Sequence, residues 1–318
     1  MDSSELHPEV HETARRIAEM EVRGAAAIAD AAAAALATQA ANSDATTPEA
    51  LWTELRAAAR ELHDTRPTAV SLPNALRYVL TGVEGECVET LKRSVERRVS
   101  DFRATLDDAQ NRLGRIGAGR LRDGDVVMTH CHSTDALACI EAAVDDGKRI
   151  EAIVKETRPR NQGHITAEDL REIGVPVTLV VDNAAHRFMR DVDHLLCGAD
   201  SIAADGSVIN KIGTAGLAVS ARDRGVPVVV AAQSIKLHPD TLTGAAVEIE
   251  ERDEREVIDD DVRAEIGDIS VANPAFDVTP PRHVDAIVTE HGQFPPESVV
   301  VLMRELFGET VDEPWRAR

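Results

Sequence analysis

Two patterns of hydrophobic residues divide the chain. From residue 9 to about residue 115, apolar positions recur three and four residues apart, most clearly in the segment 84–113, and this spacing places them on one face of a helix. The Ala-rich stretch 24–41 is a strong helix former. Two prolines in the segment 65–74 forbid one continuous helix there. We therefore predict a helical N-terminal domain over residues 1–120.

After Gly124 the pattern changes to short β-branched runs that alternate with helical stretches. The predicted strands are 125–130, 150–156, 176–181, 226–232 and 285–290. The predicted helices between them include 133–146, 167–173 and 213–224. Apolar strands that alternate with helices are typical of a parallel sheet covered on both faces. The fold class predicted is therefore α/β: the helical domain is followed by a Rossmann-like parallel-sheet domain over residues 121–318.

The first predicted strand ends in a cluster of polar residues, at the edge of the sheet where open α/β sheets bind ligands. Residues 129–133 read Thr-His-Cys-His-Ser and directly precede a helix. A thiol in this place lies near the positive end of the helix dipole, which favours the thiolate, so Cys131 is a candidate nucleophile or base. The alternative is an ordinary buried cysteine. Adjacent His-Cys-His side chains point to different sides, so we predict no metal site.

Other predicted strand ends also carry polar residues. Asp200 follows an apolar run, where partial desolvation lets a carboxyl group hold a proton near neutral pH; the alternative is a turn or helix cap. Asn210 and Lys211 precede a helix, in a segment suited to seat a phosphate. Lys236 follows a further strand, although a solvated surface lysine is the alternative.

Composition excludes several partners and points to a saline environment. The 318 residues carry a formal charge of −21, and the 35 basic residues include only five lysines, which leaves 30 arginines. This charge opposes binding to nucleic acid or anionic membranes. An acidic, Arg-rich chain is typical of a halophilic source, although a high-GC genome also replaces Lys by Arg. We find no apolar run of membrane length and no secretory leader, so we expect a cytoplasmic protein.

The candidate residues form a chemically coherent set. Arg23 and Arg66 lie beside the two breaks in the N-terminal helices, where each alone reads as a surface arginine. Together with the thiol, the carboxyl group and the two lysines, they are what an acid–base enzyme needs to handle a phosphorylated metabolite. No dinucleotide-binding or nucleotide-binding glycine motif is present, and we predict no cofactor. The four cysteines have no paired spacing, so each is expected to be a small buried residue.

The order of motifs along the chain resembles the initiation factor 2B α/β/δ-like superfamily, which includes sugar-phosphate isomerases, and within it the archaeal ribose-1,5-bisphosphate isomerases. The resemblance covers nearly the whole chain. The segments that carry it are Arg23–Ala25, Thr65–Arg77, Thr129–Ser133, Glu156–Pro159 with Gln162 and Gly163, Gly198–Ser201, Asn210–Gly213, Lys236 and Asn273–Pro281.

The resemblance implies an aldose–ketose isomerase that converts α-D-ribose 1,5-bisphosphate into ribulose 1,5-bisphosphate in AMP salvage. It makes Cys131 the proton acceptor and Asp200 the proton donor. The residues that it implies for substrate binding are Arg23, Gly24, Ala25, Ala26, Arg66, Asn210, Lys211 and Lys236. Relatives have glycine where this chain has Ala26, so the added methyl group could weaken phosphate binding. The resemblance further implies a homo-oligomer, specifically a hexamer, that responds to AMP.

Two alternatives remain open at this point. A methylthioribose-1-phosphate isomerase also uses a cysteine and an aspartate, but it binds one phosphate, whereas Arg23 and Arg66 suggest a second. A non-catalytic regulatory subunit of the same superfamily would bind a nucleotide or sugar phosphate without turning it over. The presence of both Cys131 and Asp200 favours an enzyme.

We expect the chain to need salt to fold. Its excess of negative charge repels itself, and about 2–3 M KCl shortens the Debye length enough to screen that repulsion. The melting temperature should therefore rise steeply between about 0.1 M and about 3 M KCl. An unchanged melting temperature over this range would contradict the prediction.

Overall fold

The computed structural model describes residues 6–22, 24–66, 69–307 and 313–316. The chain forms two compact units. The first comprises Met1–Asp108, Ile235–Leu237 and Phe307–Arg318, and the second comprises Ala109–Ser234 and His238–Leu306, each within these described ranges. The domain boundary between residues 120 and 121 stays a prediction.

Five helices account for most of the first unit. They are α1 (Pro8–Ala18), α2 (Ala25–Asn42), α3 (Pro48–Thr65), α4 (Ser71–Thr81) and the first part of α5 (Val88–Ala118). Proline occupies the first turn of α1 and of α3, where its missing N–H costs no hydrogen bond. Thr47 caps α3 by accepting a hydrogen bond from the Ala50 amide at 3.2 Å. The predicted helices are therefore confirmed, and local capping residues begin them.

The core of the first unit combines small and large side chains. The short side chains of Ala29, Ala32 and Ala33 are completely buried, and their size lets α2 pack closely against α1, α3 and α4. The largest fully buried side chains around them are those of Trp315, of Ile17 in α1 and of leucines in α2, α3, α4 and α5. The core of this unit is therefore built mainly from alanine, leucine and valine, with a few aromatic side chains packed among them.

The segment 65–74 breaks the helix as predicted, but over fewer residues. Helix α4 already begins at Ser71, because Pro73 then lies in the first helical turn and disrupts nothing. The buried Asn74 donates hydrogen bonds to the carbonyl groups of Ile235 and Leu237 at 2.9 Å and 2.8 Å. These two bonds tie the short segment Ile235–Leu237 to the helices of its own unit.

A seven-stranded sheet forms the centre of the second unit. Its strands are β1 (Val126–Thr129), β2 (Glu151–Lys155), β3 (Val177–Val180), β4 (His194–Cys197), β7 (Val228–Ala231), β10 (Ala286–Thr289) and β11 (Gly292–Phe294). The strand order is β11-β10-β7-β4-β1-β2-β3, and all neighbours are parallel except β10 and β11. The surrounding helices are the end of α5, α6 (Thr134–Asp145), α7 (Gln162–Glu172), α8 (Ala185–Phe188), α9 (Thr214–Arg224), α10 (Asp260–Ile266) and α11 (Val299–Phe307). The predicted α/β class is confirmed.

The second unit also contains a small sheet that the sequence does not predict. Within this unit its order is β5-β6-β9, with strands β5 (Ser201–Ala203), β6 (Val208–Lys211) and β9 (Phe276–Thr279), and the chain also forms a two-residue strand, β8 (Leu237–His238). Strand β6 pairs antiparallel with both β5 and β9. These strands are two to four residues long and carry polar residues such as Asn210 and Lys211, so they lack the apolar runs that mark the larger sheet.

No helix within the described residues is long and apolar enough to cross a membrane.

Two helical glycines provide a matched test of packing. A Cβ atom at Gly117 in α5 would overlap Sγ of the buried Cys139, whereas a Cβ atom at Gly216 in α9 would meet nothing within 4 Å. We expect Gly117→Ala to destabilise the protein by about 1–3 kcal/mol through overpacking. Gly216→Ala should stabilise it by about 0.5–1 kcal/mol because alanine is the better helix former. Denaturant unfolding in high salt measures both, and equal effects would contradict the close contact between α5 and α6.

Candidate active site

Cys131 lies just beyond β1, at the strand end where the sequence predicts it, and its backbone is strained. Its φ of +67° falls in the left-handed region that residues other than glycine rarely adopt. The side chain is buried, with the residue 8% exposed. Two residues later Ser133 caps α6 by accepting a hydrogen bond from the Ala136 amide at 3.3 Å. The sulfur is thus held at the end of the strand rather than in the helix cap.

Burial, not the helix dipole, sets the charge of this sulfur. Burial raises the pKa of the Cys131 thiol to about 11, although the positive charge of Lys211 opposes that shift and the charge of Asp200 adds to it. At neutral pH the thiol form therefore dominates. This differs from the sequence expectation of a favoured thiolate, because desolvating the anion costs more than the nearby charges return.

The more deeply buried of the two flanking histidines, His130, supplies no positive charge that would stabilise a Cys131 thiolate. His130 is 1% exposed, and burial together with the nearby Lys155 lowers its pKa to about 4. The imidazole is therefore neutral, and its Nε2 lies 2.9 Å from the Ile212 carbonyl oxygen, to which it donates its single proton. His132 is half-buried and its Nδ1 lies 3.2 Å from Oγ1 of Thr166.

Lys211 carries the positive charge that acts most strongly on the Cys131 thiol. It lies on β6, is 7% exposed, and holds its Nζ 4.8 Å from the centre of the Phe276 ring. Burial lowers the pKa of Lys211, and the thiolate form of Cys131 would raise it. Within the part of the chain that the structure describes, no carboxylate lies within ion-pair distance of this ammonium group. A buried cation without a carboxylate partner is suited to receive an anion.

Three arginines near Lys211 were not singled out from the sequence. Arg158, Arg160 and Arg252 line a small, water-sized cavity together with Lys211. Arg160 forms a bidentate pair with Glu256 at 3.0 Å and 2.5 Å. The guanidinium of Arg252 lies 5.7 Å from the Phe276 ring and its Nε 3.2 Å from Glu250. Because the acidic partners of Arg160 and Arg252 belong to the strongly acidic segment 248–256, the sequence suggests ordinary surface ion pairs for these two arginines.

Asp200 lies between β4 and β5, and its position differs from the sequence expectation. Its amide donates a hydrogen bond to the Ile209 carbonyl at 2.9 Å, which fixes the backbone. The residues before it, Gly198 and Ala199, are buried, but Asp200 itself is exposed rather than desolvated. Its negative charge is nevertheless close enough to raise the pKa of Cys131. The two predicted proton-transfer groups therefore lie within electrostatic range of each other.

The N-terminus of α9 is already occupied by a carboxylate. Asp277 on β9 accepts hydrogen bonds from the amides of Gly213 at 2.7 Å and Ala215 at 3.1 Å. The neighbouring Asn210 is buried and donates to Thr214 Oγ1 at 3.0 Å. The helix end that the sequence suggests as a phosphate seat is thus filled by the protein itself, and anion binding falls to side chains such as Lys211.

Lys155 is a further buried cation at a strand end that sequence reasoning missed. It closes β2, is 4% exposed, and its Nζ lies 3.7 Å from Asp182. Burial lowers the pKa of Lys155, while the charge of Asp182 opposes that shift. The signal was present in the sequence, because Lys155 is one of only five lysines and lies at the carboxyl end of the predicted strand 150–156.

The remaining predicted site residues belong to the first unit. Gly24, with a φ of +87°, precedes α2, and Ala25 and Ala26 form its first turn. Arg66 follows the last residue of α3, and Lys236 ends a 3-10 turn; both are half-buried. Arg23 lies outside the described residues. In the described ranges, no group of three or more His, Cys, Asp and Glu residues is arranged to hold a metal ion.

Residues 21–296 match the initiation factor 2 subunit family. The chain belongs to this family.

A ribose 1,5-bisphosphate isomerase from the haloarchaeon Haloterrigena turkmenica is 70% identical and covers 98% of both chains. A methylthioribose-1-phosphate isomerase from Chloroflexus aurantiacus is 40% identical over 90% of this chain and 87% of its own. A crystal structure of the Pyrococcus horikoshii translation initiation factor eIF-2B superposes with a TM-score of 0.79 at 30% identity, covering 93% and 100% of the two chains. The predicted superfamily is confirmed, and the haloarchaeal relative agrees with the halophilic composition.

We expect alkylation of Cys131 to report its raised pKa directly. Only the thiolate reacts with iodoacetamide, so the rate at Cys131 should rise about tenfold per pH unit up to about pH 11. The exposed Cys87 has a pKa lowered by its hydrogen bond to Thr90, so the experiment needs a Cys87→Ser background and peptide mass spectrometry.

The same experiment tests the influence of Lys211. Replacing Lys211 by Met should move the alkylation profile of Cys131 to higher pH, because the thiolate loses the positive charge that lowers its pKa most. A profile that levels off below about pH 9 in the wild type would contradict the buried thiol.

Proposed function

We propose that this protein is an isomerase that converts ribose 1,5-bisphosphate into ribulose 1,5-bisphosphate. The observation that supports this most strongly is the buried ammonium of Lys211 beside the buried thiol of Cys131. An anionic substrate would form an ion pair with the Lys211 ammonium group. The Cys131 sulfur could then accept and return a proton. Relatives between 47% and 70% identical carry the name of this isomerase, which makes the chain an aldose–ketose isomerase by family.

The two phosphate groups require separate cationic subsites. In a chain with a charge of −21, local cations must overcome the repulsion of a substrate that carries up to about four negative charges. We propose that one phosphate binds Asn210, Lys211 and Arg252, since the charged groups of Lys211 and Arg252 both lie beside the Phe276 ring. We propose that the other phosphate binds residues that the resemblance implies for substrate binding. Those residues are Arg23, Gly24, Ala25, Ala26, Arg66 and Lys236.

Asp200 starts the proposed reaction as the proton donor. It protonates the ring oxygen of the sugar as the bond between that oxygen and C1 breaks, which leaves a phosphorylated oxocarbenium ion at C1. The exposure of Asp200 suits this role, because its carboxyl group can reach a substrate that enters from solvent. The carboxylate formed then accepts the proton of the C2 hydroxyl group when the ketone forms, so Asp200 ends the cycle protonated.

Cys131 carries the carbon-bound proton in the same proposal. Its thiolate removes the proton from C2, which gives a neutral enol between C1 and C2, and the thiol then returns a proton to C1. Protons balance over the cycle, since each group regains its starting state. The Lys211 ammonium group stabilises the thiolate until the oxocarbenium ion has formed and the C2 proton can be removed.

The resting protein reaches the reactive state by moving one proton within the pair. A thiol pKa of about 11 leaves about one thiolate in ten thousand at neutral pH. Transfer of that proton from Cys131 to Asp200 creates the required thiolate and the required acid at once. It also removes the negative charge of Asp200 that raises the pKa of the thiol. The pair therefore shares one proton.

We further propose that the reaction belongs to AMP salvage, takes place in the cytoplasm and responds to AMP. We also propose that the protein works as a homo-oligomer, specifically a hexamer. A methylthioribose-1-phosphate isomerase is the second candidate, supported by the relative of that name at 40% identity. Arg23 and Arg66, which the resemblance implies as further cationic residues of the site, favour the bisphosphate over a substrate with one phosphate and an apolar thioether.

The direct test supplies purified protein, in about 3 M KCl, with ribose 1,5-bisphosphate and follows ribulose 1,5-bisphosphate. Cys131→Ser should lower kcat at least about a hundredfold, because a hydroxyl group does not ionise near neutral pH. Asp200→Asn should cause a similar loss because the amide has no proton to transfer. Cys87→Ser is the matched control, since Cys87 is an exposed cysteine of the other unit and should leave kcat unchanged.

Three outcomes would overturn parts of the proposal. More than about a tenth of the wild-type kcat in Cys131→Ser would exclude the thiolate as base. Turnover of methylthioribose 1-phosphate in place of the bisphosphate would favour the second candidate. Tight binding of a nucleotide without any turnover would identify a regulatory subunit instead.

A further inference from the structure

Two threonine hydroxyl groups hold the backbone of Cys131 from both sides. Oγ1 of Thr157 accepts a hydrogen bond from the Cys131 amide at 2.9 Å. Oγ1 of Thr166 donates to the Cys131 carbonyl at 2.8 Å. Both threonines are 1% exposed, so water does not compete for these bonds. The peptide groups on either side of the candidate base are therefore fixed by side chains from outside its own loop.

The conformation that they hold is one that the chain would not adopt unaided. Cys131 has a φ of +67° and Thr157 a φ of +63°, and neither residue is glycine. A left-handed conformation is especially unfavourable for a β-branched residue such as threonine. Strained backbone of this kind persists only where surrounding contacts over-determine it, and it clusters at functional sites.

The hydrogen bonds continue from Thr157 to the loop of Lys211. Oγ1 of Thr157 lies 3.2 Å from Nδ1 of His130 and 3.1 Å from the Lys155 carbonyl oxygen, so its one proton can go to either acceptor. His130 is neutral and donates through Nε2 to the carbonyl of Ile212, the residue after Lys211. A chain of contacts thus joins the amide of Cys131 to the backbone beside the ammonium group.

The main-chain amide of Thr157 is anchored separately. It donates to Oδ1 of Asp182 at 3.1 Å, and the next amide, that of Arg158, donates to Oδ2 of the same carboxylate at 2.7 Å. Thr157 is therefore fixed to the sheet edge independently of Cys131. Because the anchor does not depend on Cys131, the hydroxyl group can impose a conformation on it.

We propose that Thr157 and Thr166 are positioning residues of the isomerase, which hold Cys131 in its left-handed conformation so that the sulfur stays beside the Lys211 ammonium group. The proposal rests on the proposed role of Cys131. Without the Thr157 hydroxyl group, the buried Cys131 amide loses its acceptor and the backbone relaxes toward negative φ. That rotation moves Sγ away from Lys211 and from the substrate.

The test compares three single variants in high salt. Thr157→Val keeps the shape and removes the hydroxyl group, and Thr157→Ser keeps the hydroxyl group. Thr279→Val is the matched control, because Thr279 is 1% exposed and its Oγ1 has no hydrogen-bond partner within the described residues. We expect Thr157→Val to lower kcat about tenfold to a hundredfold with KM nearly unchanged, as misplacement of a reacting group by about 1 Å does. Thr157→Ser should recover most of the loss, and Thr279→Val should behave as wild type.

A second readout needs no substrate and reports the sulfur itself. In the wild type, Lys211→Met should shift the pH profile of Cys131 alkylation upward by at least about half a pH unit. In the Thr157→Val background the same Lys211→Met change should cause no shift, because the sulfur no longer lies beside the ammonium group. A role in stability alone would lower the melting temperature and leave this coupling intact.

The outcomes separate the proposal from the function on which it rests. An intact coupling in folded Thr157→Val, or a loss of kcat that Thr157→Ser does not recover, would overturn the positioning role. If the wild type shows no isomerase activity but the coupling is lost in Thr157→Val, the positioning role stands and the proposed reaction fails. Should Thr157→Val not fold, Thr166→Val with Thr166→Ser repeats the comparison from the carbonyl side of Cys131.

Discussion

The cost of burying charge governs this site. Cys131 and Lys211 are both buried, at the ends of strands in the large and the small sheet of the second unit. Burial raises the pKa of the thiol and lowers that of the ammonium group. Burial disfavours the thiolate and the ammonium group when each is charged alone. The same low dielectric strengthens the attraction between them, so the charge on one group favours the charge on the other. The end of β1 and the end of β6 bring them together, and the threonine hydroxyl groups keep one of them in place.

The small antiparallel sheet matters for the same reason. Strand β6 carries Lys211, and its neighbour β9 carries Asp277. The Asp277 carboxylate accepts hydrogen bonds from the amides at the start of α9. Because that helix end is filled, side chains such as Lys211, rather than a helix dipole, must recognise an anion. In a protein whose overall charge repels phosphate, such recognition acts at contact distance and benefits from the high salt that screens the long-range repulsion.

Sequence patterns predicted much of the fold, and the reasons for success and failure are physical. The five apolar strands and the main helices were predictable because their periodicity is long and regular, and the location of Cys131 followed from the rule for parallel sheets. Strands β5, β6, β8 and β9 were not predictable because they are short and partly polar. The family and the class of enzyme were confirmed by the relatives, whereas the roles of individual residues remain predictions.

Charge states were the least predictable feature. Proximity to a helix suggested a thiolate at Cys131, but the sign of its pKa shift depends on burial, which only the folded structure reveals. The exposure of Asp200 likewise depends on a single side-chain direction after a buried run. Arg252 was not predicted because it is brought to the site by its position beside Phe276 and near Lys211, and both residues are distant from it in sequence.

The pH dependence of kcat/KM, measured for the wild type and for Asp200→Asn side by side, tests the central claim most directly. If Cys131 and Asp200 share one proton, the reactive state has the same number of protons as the resting state. The wild-type profile should then be flat from about pH 7 to about pH 10. In Asp200→Asn, where only the thiolate is needed, the residual kcat/KM should rise about tenfold per pH unit over the same range. A wild-type profile that rises with that slope, or a flat profile in Asp200→Asn, would contradict the shared proton.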